Sequence, residues 1–394
     1  MNFPNNVEEF EEFVADENRR TASSSHQNFE LNIATLARRS KYPIEDIARV
    51  QALNSWFRTV PSERVTTVLQ QPSLSQGATE ALANSMLGLS LIILGRSDFR
   101  QNDRTSLRHI RNEYFSRLHS WPDLARLDAS YLICDDSYSK GLPNPLDSGD
   151  GTLKTAAQFS KVVPKLVGSV MQPEDLKGKI EEQYPLLTTL LFELVKNTQD
   201  HAMFDADGSA ISQSLRVFFS RFYPVSSLDV FVDKKSENPL PPHLAYVKSL
   251  HPEDHSSMRS QTKKRFKGVL EFSVLDSGPG FVGSWLRRKV DPAESIDLEY
   301  QAVLACLREG HSTARNPNRG LGLTDVMRVL RLLNGFIRIR TNRISLYRDF
   351  NLLPAQAATE SAGLMDWKRG LSTKPSAFGP VTGATVSVLI PVEA

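Results

Sequence analysis

Residues 186–203 read LLTTLLFELVKNTQDHAM. At about 100° per residue, Leu187, Leu191, Leu194, Val195 and Ala202 form one apolar arc, which predicts an amphipathic helix buried along that arc. Glu193, Asn197 and Asp200 fall within about 60° of one another on the opposite side, with His201 beside them. A solvated helix face carries interchangeable Lys, Glu and Gln; this one aligns an acid, an amide, an acid and an imidazole at i, i+4, i+7 and i+8. Amide and carboxylate oxygens are hard donors suited to Mg²⁺ or a water, and a helix holds them rigidly. Taken alone the segment also fits an ordinary core helix, and motifs nearer the C-terminus decide between the two.

The segment LEFSVLDSGPGF (270–281) alternates as a strand, with Leu270, Phe272, Val274 and Asp276 on one face. An acid continuing an apolar face costs several kcal/mol unless it is paired. A carboxylate there can accept from an exocyclic amine such as that of adenine, while Gly278 and Gly280 let backbone approach a flat ring. A hairpin turn with an incidental aspartate is the plainer alternative. Asp147-Ser-Gly-Asp-Gly151 looks similar but is preceded by GLPNPL rather than a strand, and reads as a linker turn. The third element is Arg319-Gly-Leu-Gly-Leu323, opening the helix TDVMRVLRLLN, where free N–H groups and a helix dipole make an anion site. HSTARNPNR before it, with Ser312, Thr313, Arg315 and Arg319, has the polarity of a lid that folds over a nucleotide. No GxxxxGK[ST] occurs, which excludes a P-loop site.

In this order the motifs resemble those of the GHKL ATP-binding superfamily, shared by type II topoisomerases, large heat-shock chaperones, sensor histidine kinases and mismatch-repair ATPases. Glu193-Leu-Val-Lys-Asn197 resembles its N box, Asp276-Ser-Gly-Pro-Gly280 its first glycine box and Arg319-Gly-Leu-Gly-Leu323 its second. Gly383-Ala-Thr385 resembles its threonine turn before the last strand. The resemblance covers about residues 155–394. It implies a C-terminal two-layer α/β sandwich with ATP between sheet, N-box helix and lid; with the mostly α-helical pattern that apolar spacing gives the region before it, the expected fold class is α+β. It further implies that Asn197 coordinates Mg²⁺, that Asp276 binds the adenine amine, and that Gly278 and Gly280 line the base. Gly320, Leu321 and Gly322 would give N–H groups to phosphate, with Arg319 alongside and Thr385 assisting near the base. Glu193 holds the position of the general base. Asp200-His201 is a hybrid, the acid resembling hydrolysing members and the histidine the kinases.

The remaining sequence sets the frame. With 394 residues, 40% apolar content and 23% charge, the chain has the composition of a globular protein. A net charge of +2 gives no bulk attraction to nucleic acid or anionic lipid. Cys134 and Cys306 have no second ligand nearby, so neither a disulfide framework nor a zinc site is expected. The acidic start, MNFPNNVEEFEEF, does not read as a signal peptide, and the apolar run Met86 to Leu94 is too short to span a bilayer; a cytoplasmic location is expected.

Residues 1–29 read as a loosely ordered arm with one helix, and about 30–145 as mostly helical and without evident chemistry. KGLPNPLDSGDGT (140–152) is read as the boundary between a region 1–150 of unknown role and an ATP-binding domain 151–394. That domain carries irregular insertions near 233–267 and 345–382. The helix from Thr152 is expected to run up to Pro164. His251 and His255 flank a proline with no third ligand, and Arg259–Lys267 is read as a solvated basic insertion.

Three activities are compatible with these motifs. The first is an ATPase or ATP-gated switch, in which Glu193 polarises a water and lid closure drives rearrangement. The second is a protein kinase of the anti-sigma serine type or an atypical histidine kinase. The helical histidines, His109 and His119, lack the usual following acid, which favours phosphorylation of a separate partner. The third is a nucleotide-dependent interaction module with little turnover. A protein partner or a homodimer is expected with each.

Overall fold

The structure is a computed structural model that describes residues 3–22, 38–59, 76–94, 104–117, 125–126, 129–135, 142–143, 145–172, 180–211, 214–228, 240–250, 266–307, 322–352, 363–370 and 374–393. Its centre is an antiparallel sheet of β1 (Ala125–Arg126), β2 (Ala129–Asp135), β3 (Leu215–Pro224), β4 (Phe266–Asp276), β5 (Phe336–Asn342), β6 (Ile344–Asp349), β7 (Met365–Asp366) and β8 (Val381–Glu393). The spatial order is β1-β2-β3-β4-β8-β5-β6-β7. The fold is therefore α+β, with helices against both faces of β4 and its neighbours.

The alternation of β4 holds: Leu270, Phe272 and Val274 are buried on one face with Asp276 at its end, while Glu271, Ser273 and Leu275 are buried on the other. The first face meets two helices. One, Ala156–Val170, carries a capping box in which Gln158 N donates to Thr155 Oγ1 and Thr155 N donates to Gln158 Oε1. The other, Tyr184–His201, is the predicted amphipathic helix; Leu187, Leu190, Leu191, Leu194 and Val195 are buried along it. The first of these does not stop at Pro164 as expected. An interior proline costs about 3 kcal/mol, but burial of Leu166, Val167 and Val170 beyond it stabilises the continuation by roughly 1.5–3 kcal/mol per side chain.

The second face is covered by the N-terminal region. In chain order the four helices of the two layers are α1 (Val7–Ala22), α2 (Glu45–Thr59), α3 (Ala156–Val170) and α4 (Tyr184–His201). Helix α2 packs on β8 and β4, and α1 packs on α2. Ile44 N donates to Glu271 Oε2 at 2.9 Å, tying the start of α2 to β4. Glu11 of α1 receives Arg338 Nη2 at 2.8 Å and Arg340 Nη2 at 2.9 Å, and both arginines are buried on β5.

These contacts revise several expectations. The described part of the first 29 residues is no loose arm: Phe3, Val7, Phe10, Phe13 and Val14 are core residues. The region 30–145, read as mostly helical, also holds a strand that its pattern did not single out: β2 pairs with β3 from Ala129↔Arg221 to Asp135↔Leu215. All seven residues of β2 are buried, and such a run cannot be told from a buried helix by periodicity. Residue 150 separates no two cores, because the hydrophobic core is continuous across it. The segment 147–153 is a tight turn in which Asp147 Oδ1 accepts from Gly149 N and Gly151 N. In the first insertion, Pro242–Ser249 is a helix with His243, Tyr246 and Val247 buried. In the second, β6 pairs along the whole of β5. No helix among the described residues is long and apolar enough to cross a membrane.

Candidate functional site

Three further helices complete the site's frame: α5 (Gly280–Leu286), α6 (Ile296–Cys306) and α7 (Gly322–Leu332). Helix α7 packs on α4, as α3 does, while α5 packs on α6 and against β5 and β8. Glu193 and Asn197 project from α4 one turn apart, and Gly322, the first residue of α7, fits against both. A Cβ at Gly322 would stand 2.7 Å from Glu193 Oε2 and 3.5 Å from Asn197 Oδ1. The second glycine box and the N box are thus in contact.

Glu193 Oε2 and Asn197 Nδ2 are buried with no hydrogen-bond partner among the described residues. The Glu193 carboxylate has the Lys196 ammonium at 3.8 Å. Burial pushes the Glu193 carboxyl above its ordinary range; Lys196 opposes the shift, and the nearby carboxylates of Asp325 and Asp200 add to it. An acid so placed is a better proton acceptor than a solvated glutamate.

Two turns along α4, the loop after β4 closes the other end. Asp276 is 8% exposed, and its Oδ1 accepts from Gly278 N at 2.8 Å. Gly278 lies so close to the His201 carbonyl oxygen that a side chain there would overlap it. Gly280 opens α5 with φ +70°, beside Thr341 and Asn342. From Glu193 to His201 the helix rises about 12 Å. Glu193, Asn197 and Gly322 at one end, and Asp276 and Gly278 at the other, therefore flank a single helix.

Thr385 does not join them. It is in register with Leu275, whereas Asp276 is opposite Ala384. Directly opposed residues share a face, so the Thr385 side chain points to the α2 side of the sheet, away from the Asp276 carboxylate. Its buried Oγ1 has no hydrogen-bond partner among the described residues. The threonine on the Asp276 face is Thr341, opposite Ala384 on β8's other side. Thr341 Oγ1 accepts from Phe281 N at 3.0 Å and so fixes the start of α5. The strand GFIRIRT contains it, but only strand pairing reveals which face it shares. Asp325, in the first turn of α7, likewise carries no signal in the sequence that would single it out. Arg319, Gly320 and Leu321, with the lid residues Ser312, Thr313 and Arg315, lie outside the described residues, as do His119, the pair His251 and His255, and the basic residues 259–265.

Among the described residues no group of three or more His, Cys, Asp or Glu side chains could hold a metal ion. The single amide of Asn197 suits a magnesium ion that keeps most of its waters and phosphate ligands. Elsewhere, a cavity of about 900 Å³ lies between α1 and residues 240–242, 347, 367–370 and 377–379. One of its aromatic walls is already engaged, with Trp367 stacked on His243 and lying 4.4 Å from the Arg338 guanidinium. No family model, no curated protein and no solved structure matches the chain.

Proposed function

We propose that the chain is a GHKL-type Mg-ATP-binding protein that hydrolyses ATP to drive a conformational or partner-binding switch. The observation that carries this reading is the contact of Gly322, at a helix N-terminus, with the buried and unsatisfied polar atoms of Glu193 and Asn197. Helix N-termini favour anions, and an acid plus an amide beside one is a constellation for phosphoryl chemistry. In this reading the sheet and the helices α3, α4 and α7 form the nucleotide-binding sandwich.

Asp276 accepts a hydrogen bond from the adenine amine, and Gly278 keeps the loop against α4 so that the base is seated. The start of α7 directs its free N–H groups at the phosphates. Asn197 would hold a magnesium ion, which supplies charge neutralisation to the phosphate oxygens when bound. Glu193 orients a water and takes its proton as the water oxygen bonds to the γ-phosphorus and the bond from that phosphorus to the β,γ-bridging oxygen breaks, so that ADP and inorganic phosphate leave.

The test measures Mg²⁺-dependent ATP binding and the fate of the γ-phosphate in wild type and in Asp276→Ala and Glu193→Ala. Binding lost in the first variant, and phosphate release lost with binding kept in the second, support hydrolysis. Label transferred to protein means that a kinase uses the same pocket, and binding without turnover means an interaction module. Absence of binding in wild type sinks the whole reading.

A further inference from the structure

Helix α2 carries Gln51, Asn54, Ser55 and Arg58 at i, i+3, i+4 and i+7, a polar stripe on one helix face. Gln51, Asn54 and Ser55 are buried, where apolar residues would pack more cheaply. Each member reaches a different part of the site's frame from behind the sheet. Gln51 Nε2 donates to the Arg340 carbonyl of β5 at 3.1 Å. Asn54 Oδ1 accepts from Ser277 Oγ at 2.9 Å. Ser55 Oγ accepts from Thr382 N at 3.0 Å. Arg58 lies 3.7 Å from the carboxylate of Asp205, in the turn after α4.

Two of these contacts bear directly on Asp276. Ser277 is its neighbour and is fully buried; its hydroxyl also accepts from Leu215 N at 2.8 Å, so one oxygen joins α2, the start of β3 and the DSGPG loop. Thr382 precedes Gly383, whose α-carbon packs against the Asp276 carbonyl group. Ser277, next to Asp276 in the chain, and Thr382, next to the glycine that packs on the Asp276 carbonyl, are thus both held from α2.

We infer that Asn54 and Ser55 are positioning residues for the base-binding carboxylate, so that nucleotide affinity is tied to the docking of the N-terminal helical layer. This rests on the nucleotide reading of the site. The coupling is reciprocal: if α2 docking favours nucleotide, bound nucleotide favours α2 docking by the same factor. The N-terminal layer thereby becomes the part of the protein through which pocket occupancy is sensed.

The test uses the full chain, with ATP and Mg²⁺ as probe. Asn54→Ala leaves the Ser277 hydroxyl its Leu215 partners and is expected to raise the dissociation constant about tenfold, within the range usual for coupled sites. Ser55→Ala shifts it in the same direction and carries the test if Asn54→Ala does not fold. Thr155→Ala is the control. It removes the capping box of α3, on the opposite face of the sheet from α2. It is expected to lower stability and to change affinity less than about twofold. In a Ser277→Ala background, Asn54→Ala is expected to have no further effect on affinity. Nucleotide is expected to slow amide exchange across residues 51–58 in wild type. Unchanged affinity in both Asn54→Ala and Ser55→Ala, with binding abolished by Asp276→Ala, overturns the inference and leaves the nucleotide reading standing. Wild-type affinity in Asp276→Ala overturns both.

Discussion

Gly383 and Asp276 are packed backbone against backbone: any side chain at residue 383 would overlap the Asp276 carbonyl oxygen, and Gly383 has φ +74°. The end of β8 thereby fixes where β4 turns and where its terminal carboxylate stands. Gly383→Ala is expected to destabilise the fold by about 3 kcal/mol or more, since left-handed strain of about 1–3 kcal/mol adds to a clash with rigid backbone. Urea unfolding measures it. A loss below about 1 kcal/mol contradicts the packing described.

Gly322→Ala has a different outcome, because its obstacle is the flexible end of a side chain. The new methyl would meet Glu193 Oε2 at 2.7 Å and push the carboxylate aside. Stability is expected to stay within about 1 kcal/mol of wild type, while phosphate release falls roughly 100-fold, the low end of what a general base contributes. Thermal melts and single-turnover kinetics separate the two effects.

Glu11 holds two buried guanidinium groups. Arg340 keeps carbonyl partners at Asn342 and Gly379 without it, whereas Arg338 keeps, among the described residues, the Ser345 hydroxyl at 3.5 Å and the Trp367 and Phe10 rings. Glu11→Ala is expected to cost about 3–5 kcal/mol, the range for breaking a buried pair from one side. Glu11→Gln, which retains an acceptor, should cost less. Denaturation midpoints decide the order.

Stability should fall as pH rises through neutrality. Burial raises the Glu271 carboxyl to about 7 and the Glu45 carboxyl to about 8, against hydrogen bonds from Ser273, Ile44 N and Tyr223 to the first and from Ser40 to the second. Between the unfolded value of 4.5 and these folded values the native state binds more protons than the unfolded state. The contribution of these two groups to stability is therefore fully present below about pH 4.5, declines as pH rises above it, and is lost once pH has passed about 7 for Glu271 and about 8 for Glu45. Glu271→Gln keeps an acceptor for Ile44 N and Tyr223 and a donor for Ser273, and should flatten the lower part of the decline. A decline as steep in Glu271→Gln as in wild type assigns it to other groups.

The sequence by itself determined the local elements and the order of the motifs. Helix α4 and strand β4 were legible because 3.6-residue and two-residue periodicities are properties of neighbouring residues, and the residues of the proposed chemistry, Glu193, Asn197 and Asp276, lie on these two elements. Tertiary structure alone decided what met what. Thr385 falls on the wrong face for Asp276 because the register of β8 on β4 pairs residues more than a hundred positions apart. Glu11 finds its arginines 327 and 329 residues away, and Asn54 finds Ser277 at a separation of 223. No periodicity carries such pairings. They come from closure of one sheet between two helical layers, and closure depends on the burial of the whole chain rather than on any stretch of it.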